Sequence, residues 1–139
     1  LITKVLYKKT IDKKNFLIVD AGMNDFLRPA LYDAKHLFKP LINTKYYNKL
    51  KSFEVVGPIC ESADVLAKNV KLPENISQDD YYFIDKVGAY GSVMSSNYNS
   101  KGLSSEVMVK EHSFYEIRKR IEIEDFLRFE KIAPWLKKN

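Results

Sequence analysis

Cysteine occurs once in this chain of 139 residues, at position 60, so no disulfide can form within it. A lone thiol fits a reducing compartment, and the expected location is the cytoplasm. No apolar run approaches the roughly 18 residues that a membrane span requires. No signal peptide is visible at the start. No internal repeat, low-complexity segment or metal-ligand cluster stands out. Long basic runs are absent as well. The lysines fall in pairs, Lys8-Lys9, Lys13-Lys14 and Lys137-Lys138, with acids interleaved. The net charge of +5 and the pI near 9.1 therefore read as a solvated face, not a nucleic-acid footprint. An initiating methionine is missing too. The chain opens at Leu1 directly in strand-like sequence, which reads as a piece of something longer.

What is present is a capacity to fold. Hydrophobic residues make up 45% and aromatics 13%, enough for a core, and the length predicts a single domain over 1–139. Residues 2–8 are β-branched and aromatic and predict a strand. A turn is expected at Lys13-Lys14-Asn15. Residues 16–22 are apolar on both faces, which predicts a central strand. Residues 23–32 connect it onward through a short helical turn that tolerates Pro29. Shorter strands are expected over 36–42, 52–56, 65–72 and 81–87, with surface loops at 43–51 and 74–80. Ser92 onward is small and polar and could begin a short helix. Residues 105–110 alternate, with Val107 and Val109 on one face, and 113–121 continue in strand style. Glu122, Glu124 and Asp125 open a helix that Pro134 ends. Seven or eight short strands and one C-terminal helix imply a mainly β fold, an antiparallel or mixed sandwich or barrel.

Four clusters carry chemistry. Arg28 and Tyr32 stand four apart, where a planar bidentate fork and a phenol can converge on one carboxylate. Taken by themselves they favour the plainer reading, a surface Arg and a core Tyr, since Tyr is commonly part-buried. Cys60-Glu61 follows Gly57-Pro58, and a Gly-Pro pair disfavours helix and places the thiol on a loop or strand end. A lone Cys is ordinarily a small buried hydrophobe. A thiol can also hand a proton to a carbanion, and Glu61 could hold an ammonium. Gly88-Ala89-Tyr90-Gly91 follows a strand, and such a turn can let backbone and a phenol approach a phosphate. The run from Ser95 to Ser100 is a loop rich in small donors and acceptors.

Together these residues carry a resemblance. Asp20-Ala21-Gly22-Met23-Asn24-Asp25, then Arg28-Pro29-Ala30-Leu31-Tyr32-Asp33-Ala34, then His36, is similar to the C-terminal domain of diaminopimelate decarboxylases. So is Gly57-Pro58-Ile59-Cys60-Glu61-Ser62 with Asp64, and so is Gly88-Ala89-Tyr90-Gly91 followed by Ser96-Asn97-Tyr98-Asn99-Ser100. The resemblance runs from about Phe16 to Ile121 in the family's order. It implies a pyridoxal-phosphate enzyme with a (β/α)₈ barrel and a C-terminal β domain, whose sites form across a homodimer. The reaction it implies converts meso-2,6-diaminopimelate to L-lysine and carbon dioxide. Carried over, Arg28 and Tyr32 would bind the substrate carboxylate and Glu61 its distal ammonium. Cys60 would protonate the reacting carbon in the neighbouring subunit's site, and Tyr90 would contact substrate and cofactor phosphate. Two positions depart from the pattern: Ala63 stands where the family commonly has Gly, and Lys101 where it has Arg. Ala63 would be strained if that position needed a positive φ. No barrel and no cofactor-bearing lysine in a matching context are found.

On this reading the chain is inactive alone and completes a site when joined to a barrel and a second subunit. A related decarboxylase for carboxynorspermidine, ornithine or arginine would keep the fold. The Arg28–Tyr32 pair argues against ornithine and arginine, which have no distal carboxylate. A non-catalytic remnant or dimerisation module is the alternative from another class.

Overall fold

The computed structural model describes residues 1–42 and 49–136, and they fall into two compact units, Leu1–Ser95 and Ser96–Asn139. The first unit holds strands β1 (Ile2–Ile11), β2 (Lys14–Val19), β3 (Phe38–Pro40), β4 (Leu50–Val56), β5 (Val65–Pro73) and β6 (Tyr81–Ile84). They form one sheet in the order β3-β6-β1-β2-β4-β5. Its two edge strands, β3 and β5, approach with Cα atoms within 8 Å, so the sheet curls nearly into a barrel.

Strand direction is what positions the site. β1 pairs antiparallel with both β2 and β6, while β2 pairs parallel with β4. Hence β2, β4 and β6 all run the same way, and their carboxyl ends emerge at one end of the sheet. The chain leaves β2 for the helix α1 (Arg28–Tyr32), leaves β4 for the Cys60 loop, and leaves β6 for the Tyr90 turn. The mixed, mainly β fold expected from the sequence is the one observed.

Alternation explains the core. Val5 on β1, Leu17 and Val19 on β2, Phe53 and Val55 on β4, and Leu66 and Leu72 on β5 are buried together with Phe26 from the connection after β2. Each such side chain contributes about 1.5–3 kcal/mol of burial. Phe38 stacks on Tyr82 at 4.9 Å between ring centroids, fastening edge strand β3 to β6. Phe26→Ala is therefore expected to lower unfolding free energy by about 3–5 kcal/mol, read from a denaturant midpoint.

Several local expectations are corrected. The β1–β2 turn is Asp12-Lys13, both at positive φ, and Lys14 and Asn15 already belong to β2. A two-residue hairpin loop of this hand matches strand twist, which overrides the poor fit of lysine to left-handed backbone. Of the loop expected over 43–51, residues 43–48 lie outside the described residues, while Leu50 and Lys51 are in β4. The strand expected to reach residue 87 stops at Ile84, and the one expected over 36–42 is Phe38–Pro40. Ser92–Met94 is a single 3-10 turn.

In the second unit, β7 (Glu106–Lys110) and β8 (Ser113–Arg118) make a separate two-stranded hairpin, not further strands of the main sheet. Val107 and Val109 are both exposed within this chain. The terminal helix α2 is only Ile123–Leu127, shorter than the expected run to Pro134. Its capping box, between Glu122 and Asp125, lies where the acids predict. Phe129, Ile132 and Trp135 beyond it are exposed, so no buried face prolongs the helix. Among the described residues no helix is long and apolar enough to cross a membrane.

Candidate functional site

The segment after β2 is tied down before it reaches α1. Asp20 accepts from the Thr3 hydroxyl at 2.7 Å and from Lys4 N–H at 2.8 Å, and Ala21 N–H donates to the same hydroxyl at 3.0 Å. Asp25 then accepts from Gly22 N–H at 2.9 Å, closing a turn that swings the chain toward Arg28. Pro29 stands in the first turn of α1, where its missing N–H costs nothing, and Asp33 ends the helix in the left-handed region at φ 52°. One helical turn places Arg28 and Tyr32 on the same side of α1.

The Tyr90 turn is pinned to this segment. Leu37 N–H donates to the Asp85 carboxylate at 2.9 Å, Asp85 N–H donates to Leu37 carbonyl at 3.1 Å, and His36 Nδ1 lies 3.0 Å from the Asp85 carbonyl. The His36 ring meets Phe26 edge-on at 4.7 Å. The consequence is a direct meeting of two predicted residues, with the Arg28 guanidinium 5.9 Å above the Tyr90 ring. Tyr90 sits at φ 58° and is 62% exposed. A bulky residue in that region is strained by about 1 kcal/mol or more, and such strain concentrates at working sites. Gly91 is required for packing, because an added Cβ would meet the Val87 carbonyl. Gly88 has nothing within 4 Å of its would-be Cβ.

The Cys60 loop forms the other side. Asp64 spans it, as described below, and the Cys60 thiol is exposed. Glu61 Oε1 accepts from the Ser62 hydroxyl at 3.2 Å and from Ala63 N–H at 3.3 Å, so its carboxylate lies along the loop. Ala63 is not among the positive-φ residues, so its methyl brings no backbone strain there. A cleft of about 450 Å³ runs between α1 and this loop, lined by Pro29, Leu31, Tyr32, Ser62, Ala63 and Lys68 among others. Thus Arg28 meets Tyr90, and Tyr32 shares a cleft with the residues just after Glu61. Cys60 is not part of that lining.

Two residues of the cleft's lining form an ion pair: Lys68 Nζ lies 2.9 Å from Asp33. The hydrogen bond from Lys68, then its charge, holds the Asp33 carboxyl below its usual value. A depressed carboxyl contributes stability above its unfolded pKa and loses it as pH falls through the folded one. Both groups are exposed, so the contribution is small. Lys68→Ala is accordingly expected to lower Tm slightly at neutral pH and to have no effect once Asp33 is protonated. Melting curves at the two pH values check this. Among the described residues no cluster of His, Cys, Asp and Glu could hold a metal ion.

Residues 1–88, more than half the chain, match the family model described as pyridoxal-dependent decarboxylase, C-terminal sheet domain. The chain belongs to this family. Arg28, Tyr32, Cys60 and Glu61 lie inside the matched stretch of the sheet domain, and Tyr90 lies just beyond it. Diaminopimelate decarboxylase of Helicobacter pylori is 48% identical over 130 residues, which cover 94% of this chain and 32% of that protein. The crystal structure of the Helicobacter pylori enzyme complexed with L-lysine superposes with a TM-score of 0.83, at 48% identity, over 92% of this chain and 30% of that one. Diaminopimelate decarboxylase from M. jannaschi superposes with a TM-score of 0.91 at 31% identity, over 99% of this chain and 31% of that one. The sheet domain thus spans about a third of the length of the curated relatives it matches.

Proposed function

We propose that this chain is the C-terminal part of a cytoplasmic diaminopimelate decarboxylase. It would supply substrate-binding and proton-donating residues to a site that a barrel domain and a second subunit complete. The observation that carries the reading is the common direction of β2, β4 and β6. It delivers the Arg28–Tyr32 helix, the Cys60-Glu61 loop and the Tyr90 turn to one end of one sheet.

Each residue's task follows from its chemistry. Arg28 offers two parallel N–H donors to the distal carboxylate, and the Tyr90 ring beneath it limits where that fork can point. Tyr32, 62% exposed on the same face, adds a neutral donor. Glu61, its Oε1 held by Ser62 and Ala63, supplies the negative charge that balances the distal ammonium. A site that reads a carboxylate and an ammonium together selects a second amino-acid head, which diaminopimelate has and ornithine and arginine lack. Pyridoxal phosphate, when bound, supplies the electron withdrawal that lets the carboxyl group leave. The residues present suit its phosphate edge, since Tyr90 is exposed and a Cβ at Gly88 would have nothing within 4 Å. Cys60, exposed on its loop, holds the proton that replaces carbon dioxide on the substrate carbon.

The test is Arg28→Ala in the full-length enzyme carrying this chain. KM for diaminopimelate is expected to rise by about one to two orders of magnitude with kcat changed far less, since a lost charge-assisted pair costs about 1.5–3 kcal/mol of binding. An unchanged KM removes Arg28 from the carboxylate.

A further inference from the structure

The Cys60 loop and the Arg28 segment meet at one buried carboxylate. We infer that Asp64 is a positioning residue that sets these two halves of the site against each other, a role that rests on the function proposed above. Asp64 is 3% exposed. Its Oδ1 accepts from Met23 N–H at 2.6 Å, on the segment leading to α1, and its Oδ2 accepts from Ile59 N–H at 2.8 Å, beside Cys60. Its own backbone closes the loop, with Gly57 N–H donating to Asp64 carbonyl at 3.0 Å and Asp64 N–H donating to Glu61 carbonyl at 3.1 Å.

The surroundings are shaped for this carboxylate. An added Cβ on Gly57 would strike both of its oxygens, and one on Gly22 would come within 3.2 Å of Oδ1. Two residues without side chains therefore flank it, and only a short acid fits between them. Aspartate alone offers an acceptor oxygen to each of two separate amides. Asparagine would turn an NH₂ group toward one of those N–H donors. The two bonded amides belong to loops leaving different strands, so one side chain couples the placement of Arg28 and Tyr32 to that of Cys60 and Glu61.

The experiment is Asp64→Asn in the full-length enzyme, with amide hydrogen exchange followed by peptide mass spectrometry, Cys60 alkylation by iodoacetamide, and steady-state kinetics. Exchange is expected to quicken on the order of tenfold in both 21–32 and 57–64, with β1 and β2 unmoved. The Cys60 alkylation rate should change, and kcat should fall together with a rise in KM. Faster exchange confined to 57–64, or no change in either segment, overturns the coupling. Faster exchange in both segments with wild-type turnover upholds the coupling and sinks the catalytic assignment instead. Should the variant not fold, the wild-type enzyme decides: slow exchange of the Met23 and Ile59 amides upholds the inference, and fast exchange of either overturns it.

Discussion

Gly57→Ala is expected to lower unfolding free energy by about 3 kcal/mol, near the upper end for overpacking. The new methyl would run into both oxygens of Asp64 and approach the Gly22 Cα to 2.6 Å. A flexible side chain could swing aside from such a contact, but these neighbours cannot. Asp64 is held by two amides, and Gly22 is backbone. Relief requires the loops after β2 and β4 to part, which uncouples Asp64 from at least one amide and leaves a buried acceptor short of a partner. Gly88→Ala is the matched control. Nothing lies within 4 Å of its Cβ and its φ is not positive, so its effect should stay within about 0.5 kcal/mol. Urea midpoints at constant slope compare the two. A Gly57 variant as stable as the Gly88 variant would mean that the loops are not in close contact.

How much of this was legible beforehand depends on what each residue could announce locally. The stretch from Phe16 to Gly22 reads as a central strand because both faces must be covered, and β2 does lie between β1 and β4, although it ends at Val19. Pro29 marks a helix start, and Glu122 with Asp125 marks another. The hairpin turns were harder. Asp12-Lys13 contains no glycine, and Glu111 opens the β7–β8 turn at φ 53° with none either. Twist and pairing impose those conformations, so the residues themselves carry little signal. Residue by residue, Arg28, Cys60 and Tyr90 could be named from their chemistry and from family resemblance. Their shared end of the sheet could not, because strand direction is a property of pairings between distant segments. The role of Asp64 was hidden for the same reason. Its decisive partner, Met23, lies 41 residues away in sequence. The left-handed backbone of Tyr90 was equally silent, since tyrosine has no preference for it.

Cys60→Ala in the full-length enzyme is expected to cut kcat by about 10²–10⁴-fold, the usual worth of a positioned proton donor. KM for diaminopimelate should stay near the wild-type value, because the groups proposed for recognition, Arg28, Tyr32 and Glu61, remain. The thiol is exposed and packs into no core, so unfolding free energy should move by less than about 0.5 kcal/mol. That separation matters. A rate loss at unchanged stability and unchanged KM points to the step in which the proton is delivered, since neither folding nor recognition has moved. Cys60→Ser sharpens the test, since a hydroxyl occupies nearly the same place but surrenders its proton far less readily, and its kcat should fall between alanine and wild type. Glu61→Gln should behave in the opposite sense, raising KM through the lost counter-charge while leaving kcat close to normal. If the alanine variant turned over within tenfold of wild type, water reaching the loop would suffice as donor, and Cys60 would drop out of the mechanism while Arg28 and Glu61 kept their places in recognition.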